Sequence, residues 1–216
     1  MEWDWSAVGD FMPRFWDGVV VTLEALALGS LIAFALGLLW AMAQRSGLKA
    51  VRWPVTAVTE FVRNTPLLVQ LFFLFYVLPE WGVTLSALTT GVIGLGLHYS
   101  TYTAEVYRAG IEAVPAGQWE AATALSLPRT RTWGAVILPQ AIRRVVPALG
   151  NYVIAMLKDS PMIATIGALE MLGQARQFTA TSFQPTEPIT VIGIAFILIA
   201  YPASLLTRAL ERRLVR

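Results

Sequence analysis

Few side chains in this sequence have the types and spacing that chemistry needs. The only histidine is His98 and there is no cysteine, which excludes a histidine-rich metal site, a thiolate nucleophile and a disulfide framework. No Gly-x4-Gly-Lys-Ser/Thr segment is present, so the chain has no loop of the kind that cradles nucleotide phosphates. What remains is a set of polar groups inside apolar stretches. His98, Tyr102 and Glu105 are spaced i, i+4, i+7 and share one helix face. Such a stripe either lines a path and meets the charged ends of a zwitterion, or hydrogen-bonds neighbouring helices. Lys158 and Asp159 interrupt another apolar stretch near its middle, where each charge costs roughly 2.5–3.5 kcal/mol in lipid. They read equally as a gate or ligand contact and as a structural ion pair between helices. No catalytic constellation and no metal-ligand spacing is present, and the chain reads as a non-enzyme.

The elements that must position these groups follow from composition. Of the 216 residues 56% are hydrophobic and 14% charged, with mean hydropathy +0.60, whereas soluble domains carry about 25% charge. The apolar residues fall in long runs, and a membrane span needs about 20 of them. Five spans are expected, at about Val19–Ala43, Val55–Leu78, Leu85–Tyr107, Pro147–Leu169 and Ile189–Leu206. The expected fold is an all-α membrane bundle of about five transmembrane helices, forming one domain over residues 1–216. Pro66 and Pro202 are expected to kink or end helices. Gly96, Ser100 and Ala104 form a small-residue row suited to helix packing. Glu60 and Arg63 are spaced to pair, although the reading preferred for Arg63 is a place at the membrane interface. Glu24, inside the first span, is ambiguous. No internal repeat is visible, which argues against an inverted-repeat secondary transporter.

Charge sorts by connection. The segments 44–53 and 108–146 and the tail after Leu206 hold twelve of the sixteen basic residues. The other side carries mainly Glu2, Asp4, Asp10, Asp17, Glu80, Glu170 and Glu187. The positive-inside rule puts the N-terminus outside and the C-terminus in the cytoplasm. Trp3, Trp5, Trp16 and Trp81 fall at the expected outer interface, and the basic tail suits anionic lipid. The acidic start does not resemble a cleavable signal peptide.

The segment 109–146 is too long for a simple turn. Pro115 suits a helix start and Pro128 a stop, with Trp119, Ala122 and Leu125 at helical spacing as a surface for docking on a partner. Glu120-Ala121-Ala122, then Ser126 and Val136-Ile137-Leu138-Pro139, resembles the "EAA" loop of bacterial ABC import permeases, Glu-Ala-Ala-x3-Gly-x9-Ile-x-Leu-Pro. The match departs at Ser126, where that family usually has glycine. Thr22-Leu23, Arg63-Asn64-Thr65-Pro66-Leu67-Leu68-Val69-Gln70, and Lys158-Asp159-Ser160 also look like the polar amino-acid branch of these permeases. The resemblance implies a type I importer permease of the inner membrane, multi-pass, in which a separate ATP-binding subunit docks on Gly117, Glu120, Ala121, Ala122, Ser126, Leu138 and Pro139. It implies a second permease subunit, copy or homologue, and a periplasmic or extracellular solute-binding protein. ATP is then used by the partner, with no cofactor and no nucleic acid on this chain. The implied cargo is a polar amino acid or related zwitterion. The stretch Leu95–Glu120 looks closest to the ectoine and hydroxyectoine branch. The rival readings are a stand-alone secondary transporter or channel subunit, and a membrane enzyme or scaffold.

Overall fold

The structure is a computed structural model and describes residues 3–214. Glu2 and Arg216, counted above in the charge balance, lie outside them. Every regular element is helical among the described residues. The first helix, α1, spans Trp5–Gln44. Asp4 caps it, accepting from the Ser6 N–H at 2.8 Å and the Ser6 hydroxyl at 2.6 Å. Those bonds, the side-chain one foremost, hold the Asp4 carboxyl below its usual range. The helix is much longer than the expected first span. Its 40 residues reach about 60 Å, twice the hydrocarbon thickness. The extra turns exist because Phe11 and Phe15 bury against Met171, Ala175, Phe178 and Ile192.

The second expected span is not one helix. An amphipathic segment, α2 (Lys49–Asn64), ends at Thr65, and α3 (Leu67–Phe72) begins after Pro66 and runs on through a π-helical turn and a 3-10 turn to Trp81. The two parts are bent by 103°. Pro66 lacks the N–H needed to continue the ladder and pushes Thr65 out of the helical region; Thr65 is extended at φ −97°, ψ 129°. Gln70 bridges the break: its Nε2 donates to Thr65 O at 2.9 Å and to Val62 O at 2.7 Å, which also accepts from the Thr65 N–H at 3.2 Å. Gln70→Met keeps the volume and removes both bonds, leaving Val62 O only its bond from the Thr65 N–H. It is expected to lower stability by about 2 kcal/mol, read as a lower melting temperature of the purified protein in detergent.

The third span, α4 (Ala87–Glu112), is the centre of the bundle. It runs beside α1 in the same direction. Gly29 approaches Leu95, Gly37 approaches Ser100 and Thr103, and Arg45 meets Glu112. Ser100 and Ala104 of the expected small-residue row are fully buried, and a Cβ on Gly96 would come within 2.6 Å of Ile32. Being surrounded by protein, α4 needs no continuous apolar surface, and it carries buried Thr90, Thr101 and Thr103. Only Trp5–Gln44 and the last helix, α9 (Thr186–Leu214), are by themselves long and apolar enough to cross a membrane among the described residues.

After α4 come α5 (Ala116–Ala124), the short α6 (Arg129–Arg131) with a π-helical turn to Ile137, and α7 (Leu138–Asp159). The fourth span therefore starts earlier than expected. It also bends by 43° between the 3-10 turn Ser160–Ile166 and α8 (Met171–Ser182). The helix α7 is antiparallel to α4, with Asp159 at Tyr99 and Val145 at Gly110. The crossings are thus α1, α3, α4, α7–α8 and α9, as five spans required. Trp5, Trp16 and Trp81 are exposed toward one end of the bundle, at 76%, 61% and 68%, as an interfacial aromatic belt demands.

Candidate functional site

Two groups of residues gather the polar and exposed chemistry, one inside the bundle and one on its basic end. Inside, α4 contributes His98, Tyr99 and Tyr102, and α7 contributes Tyr152 and Asp159. The Tyr99 hydroxyl donates to Asp159 Oδ2 at 2.6 Å. Ring centroids lie 5.3 Å apart for His98 and Tyr102, 5.8 Å for Tyr102 and Tyr152, and 6.2 Å for Tyr99 and Tyr152. His98 Nδ1 is 3.1 Å from Gln70 Nε2 on α3. The result is an aromatic wall with one carboxylate, a histidine and an amide, drawn from three spans. It has faces for a cation and donors for an anion.

The stripe expected on α4 divides. His98 and Tyr102 join this wall, whereas Glu105 is drawn into a chain of ion pairs. Glu105 pairs with Arg63 of α2 at 3.3 Å and with Arg108; Arg63 also pairs with Glu60, and Arg45 at the end of α1 pairs with Glu112 at 3.4 Å. Arg63 is therefore both the local partner of Glu60 and a cross-helix link, not simply an interfacial charge. Asp159 and Lys158 do not form the interhelical ion pair entertained above. Asp159 is bonded by Tyr99, and Lys158 is exposed on the last turn of α7 with no ion pair among the described residues. The sequence reading did not single out Tyr99, Tyr152 and Gln70 as site residues. A signal existed for one: Tyr152 and Asp159 are spaced i, i+7 and share a face of α7.

On the basic end, α5 lies against the α6–α7 junction. Trp119 stacks edge-on with Trp133 at 5.3 Å and packs on the core of Ile111, Val114, Ile137 and Ala141, and Ala122 is 3% exposed. This corrects the expected docking surface. Trp119 and Ala122 face the chain's own core, and only Leu125, 72% exposed, remains outside. The exposed face consists of Gly117, Glu120, Ala121 and Ala124. A Cβ at Gly117 would meet nothing within 4 Å, so nothing within this chain requires glycine there. Leu138 is half-buried and Pro139 is exposed in the first turn of α7.

The helix stops before Pro128, at Leu125, through a capping turn. The Ser126 N–H donates to Thr123 O at 2.9 Å and the Leu127 N–H to Ala122 O at 3.0 Å, the paired bonds of a Schellman motif. Ser126 occupies its left-handed position at φ 51°, which favours glycine. Ser126→Gly is expected to stabilise the α5 cap by about 1 kcal/mol, measured as slower amide exchange at Ser126 and Leu127 with the fold otherwise unchanged.

The fold is a five-crossing helical bundle with a broken second span and a short helix held at its basic end. The chain belongs to the family of binding-protein-dependent transport system inner membrane components, whose sequence profile matches residues 33–216. It is thus a component of a membrane transport system rather than an enzyme. It is 43% identical over 200 residues to the probable amino-acid ABC transporter permease protein y4tG of Sinorhizobium fredii, covering 93% of this chain and 87% of that protein. It is 36% identical over 210 residues to the L-cystine transport system permease protein TcyB of Bacillus subtilis, covering 95% and 88%. It is 31% identical over 216 residues to the glutamine transport system permease protein GlnP of Escherichia coli, covering 99% of each. A crystal structure of an amino acid ABC transporter with histidines superposes with a TM-score of 0.90 at 35% identity, covering 99% of this chain and 100% of that one.

Proposed function

We propose that this chain is the permease subunit of an ABC importer for a polar amino acid or related zwitterion. Its relatives are named for amino acids, cystine and glutamine among them. They lend no support to ectoine in particular, and the cargo is proposed only at the level of the class. A separate ATPase docks on the exposed face of α5, a binding protein delivers the cargo from outside, and a second permease, copy or homologue, completes the path. The N-terminus is outside and the tail cytoplasmic, which follows from the charge asymmetry.

The observation that carries this reading is the exposed face of α5. Gly117, Ala121 and Ala124 offer a flat, small-residue surface beside the Glu120 carboxylate, fastened from behind by Trp119 and Ala122. A small-residue face admits close approach of a partner surface. The aromatic wall of Tyr99, Tyr102 and Tyr152 with Asp159 and His98 lies on the path, and its carboxylate and ring faces suit the ammonium end of the cargo. Unpaired Lys158 suits the carboxylate end, since an uncompensated charge within a span usually faces a wet cavity or protein.

The test is uptake in proteoliposomes holding this chain with its ATPase and binding protein. Uptake of amino acids should require ATP and the binding protein. Uptake by this chain alone, driven by an ion gradient, would instead establish a secondary transporter. Orientation is checked with reporters fused after the last residue, where a cytoplasmic reporter should be active and a periplasmic one silent.

A further inference from the structure

The helix α2 is placed unlike any other in the bundle. Gln44, the last residue of α1, donates through Nε2 to Thr59 Oγ1 at 2.8 Å, although Thr59 lies well along α2. The chain turns at residues 45–48, so α2 runs across the end of α1 rather than back beside it. Near its far end Arg63 reaches Glu105, two turns before the end of α4 at Glu112. Beyond the break α3 does climb along α4, with Leu71 against Gly94 and Gln70 against His98. The 103° bend therefore leaves α2 nearly perpendicular to the spans, on the basic side of the bundle.

Its surface divides into three sectors. Thr59 and Val62 are buried against the chain. Ala50, Pro54, Val58 and Phe61 form an apolar sector that nothing in the chain covers; Phe61 is 72% exposed. On the opposite side stand Lys49, Arg52 and Thr56, all exposed, with Trp53 at their edge. Lys49 and Arg52 make no ion pair among the described residues, unlike Arg45 and Arg63. Phe61 also opens a crevice of about 280 Å³ inside the elbow, lined by Val62, Val69, Phe73, Leu74 and Leu97 together with Thr65 and Gln70. An apolar face, an opposed cationic face and a boundary tryptophan, on a helix across the bundle end, are the features of a helix in a lipid–water interface.

We propose that α2 is an interfacial helix that binds anionic phospholipid. Lys49 and Arg52 meet the headgroup phosphates, Trp53 sits at the headgroup level, and Val58 and Phe61 enter the acyl layer. The elbow crevice takes an acyl chain. The two free cations are the charge complement of that occupant, whereas a protein partner docked on the same face would need the apolar sector to be dry and covered.

The lack of cysteine makes the test direct. Val58→Cys and Thr56→Cys, each at an exposed site, are labelled with a nitroxide in the assembled transporter. The assembly is held in vesicles of phosphatidylglycerol and phosphatidylcholine. The label at 58 should collide freely with oxygen and rarely with a water-soluble nickel chelate, and the label at 56 should do the reverse. A label at 58 shielded from both would show that protein, such as the ATPase, covers this face. Equal access of both labels to the chelate would place α2 in water. Either result overturns the proposal, and neither depends on uptake, so the transport reading is judged separately. In a second arm, native mass spectrometry counts the lipid retained from the same vesicles. The Lys49→Gln/Arg52→Gln double variant should lose its preference for phosphatidylglycerol by roughly 20- to 30-fold; an unchanged preference overturns the headgroup assignment.

Discussion

Gly37→Val is expected to strip folded protein from the membrane. Gly37 is buried where α1 and α4 run side by side, and a Cβ there collides with Thr103 Oγ1 and lies 3.0 Å from Ser100 O. Thr103 cannot turn aside without cost, because its hydroxyl donates to Ala33 O at 2.7 Å. Separating the helices instead would loosen the neighbouring contacts of Gly29 with Leu95 and of Gly96 with Ile32. The expected penalty is about 3 kcal/mol, a large part of the stability a domain has. Gly193 of α9 is the control. A Cβ there meets nothing within 4 Å, so Gly193→Ala should be neutral or gain up to about 1 kcal/mol from helix propensity. Steady-state level and melting temperature in detergent read both. A Gly37→Val protein that melts like the parent would mean that α1 and α4 do not approach this closely.

The same seam shows what a sequence can reveal about such a bundle. The five crossings were legible because the apolar runs of α1, α3 and α9 must face lipid. The break at Thr65–Pro66 was legible as a kink, since proline forbids the ladder, but its direction was not. Val55–Leu78 reads as one span when apolar residues are counted along it. The facts that turn α2 aside, Gln44 on Thr59 and Arg63 on Glu105, join residues far apart in the chain. The early start of α1 was missed because Asp10, Arg14 and Asp17 interrupt its first turns, while Phe11 and Phe15 bury between them. The site divides in the same way. The spacing of His98 and Tyr102 put them on one face, and the structure keeps them together at 5.3 Å. Glu105 shares that spacing but is claimed by Arg63 and Arg108. Tyr99, a quarter turn round from His98, is brought to Asp159 only by the antiparallel packing of α7.

Glu120→Lys and Ala121→Trp are each expected to cut ATP-driven uptake by about tenfold or more, while leaving the permease folded. Both positions are exposed on α5, so each new side chain has room toward solvent. Glu120→Lys reverses the charge beside the docking face. Ala121→Trp puts a bulky ring on a surface otherwise made of Gly117 and Ala124. Ala122 distinguishes docking from folding. It is 3% exposed, and Ala122→Trp overfills the buried space behind α5 at a cost of about 3 kcal/mol. That variant should therefore melt early as an isolated permease, before any partner is added, whereas Ala121→Trp should melt like the parent and fail only at assembly. Melting temperature, co-purification of the ATPase and uptake, measured in parallel, separate the two. If Ala121→Trp and Glu120→Lys both retain full assembly and uptake, α5 is not the surface on which the ATPase acts. The force of ATP hydrolysis would then have to enter the bundle elsewhere. If they fail as expected, closure of the ATPase reaches the spans by a short route. Trp119 on Trp133 joins α5 to the turn that leads into α7, and α7 carries Tyr152 and Asp159 to the aromatic wall.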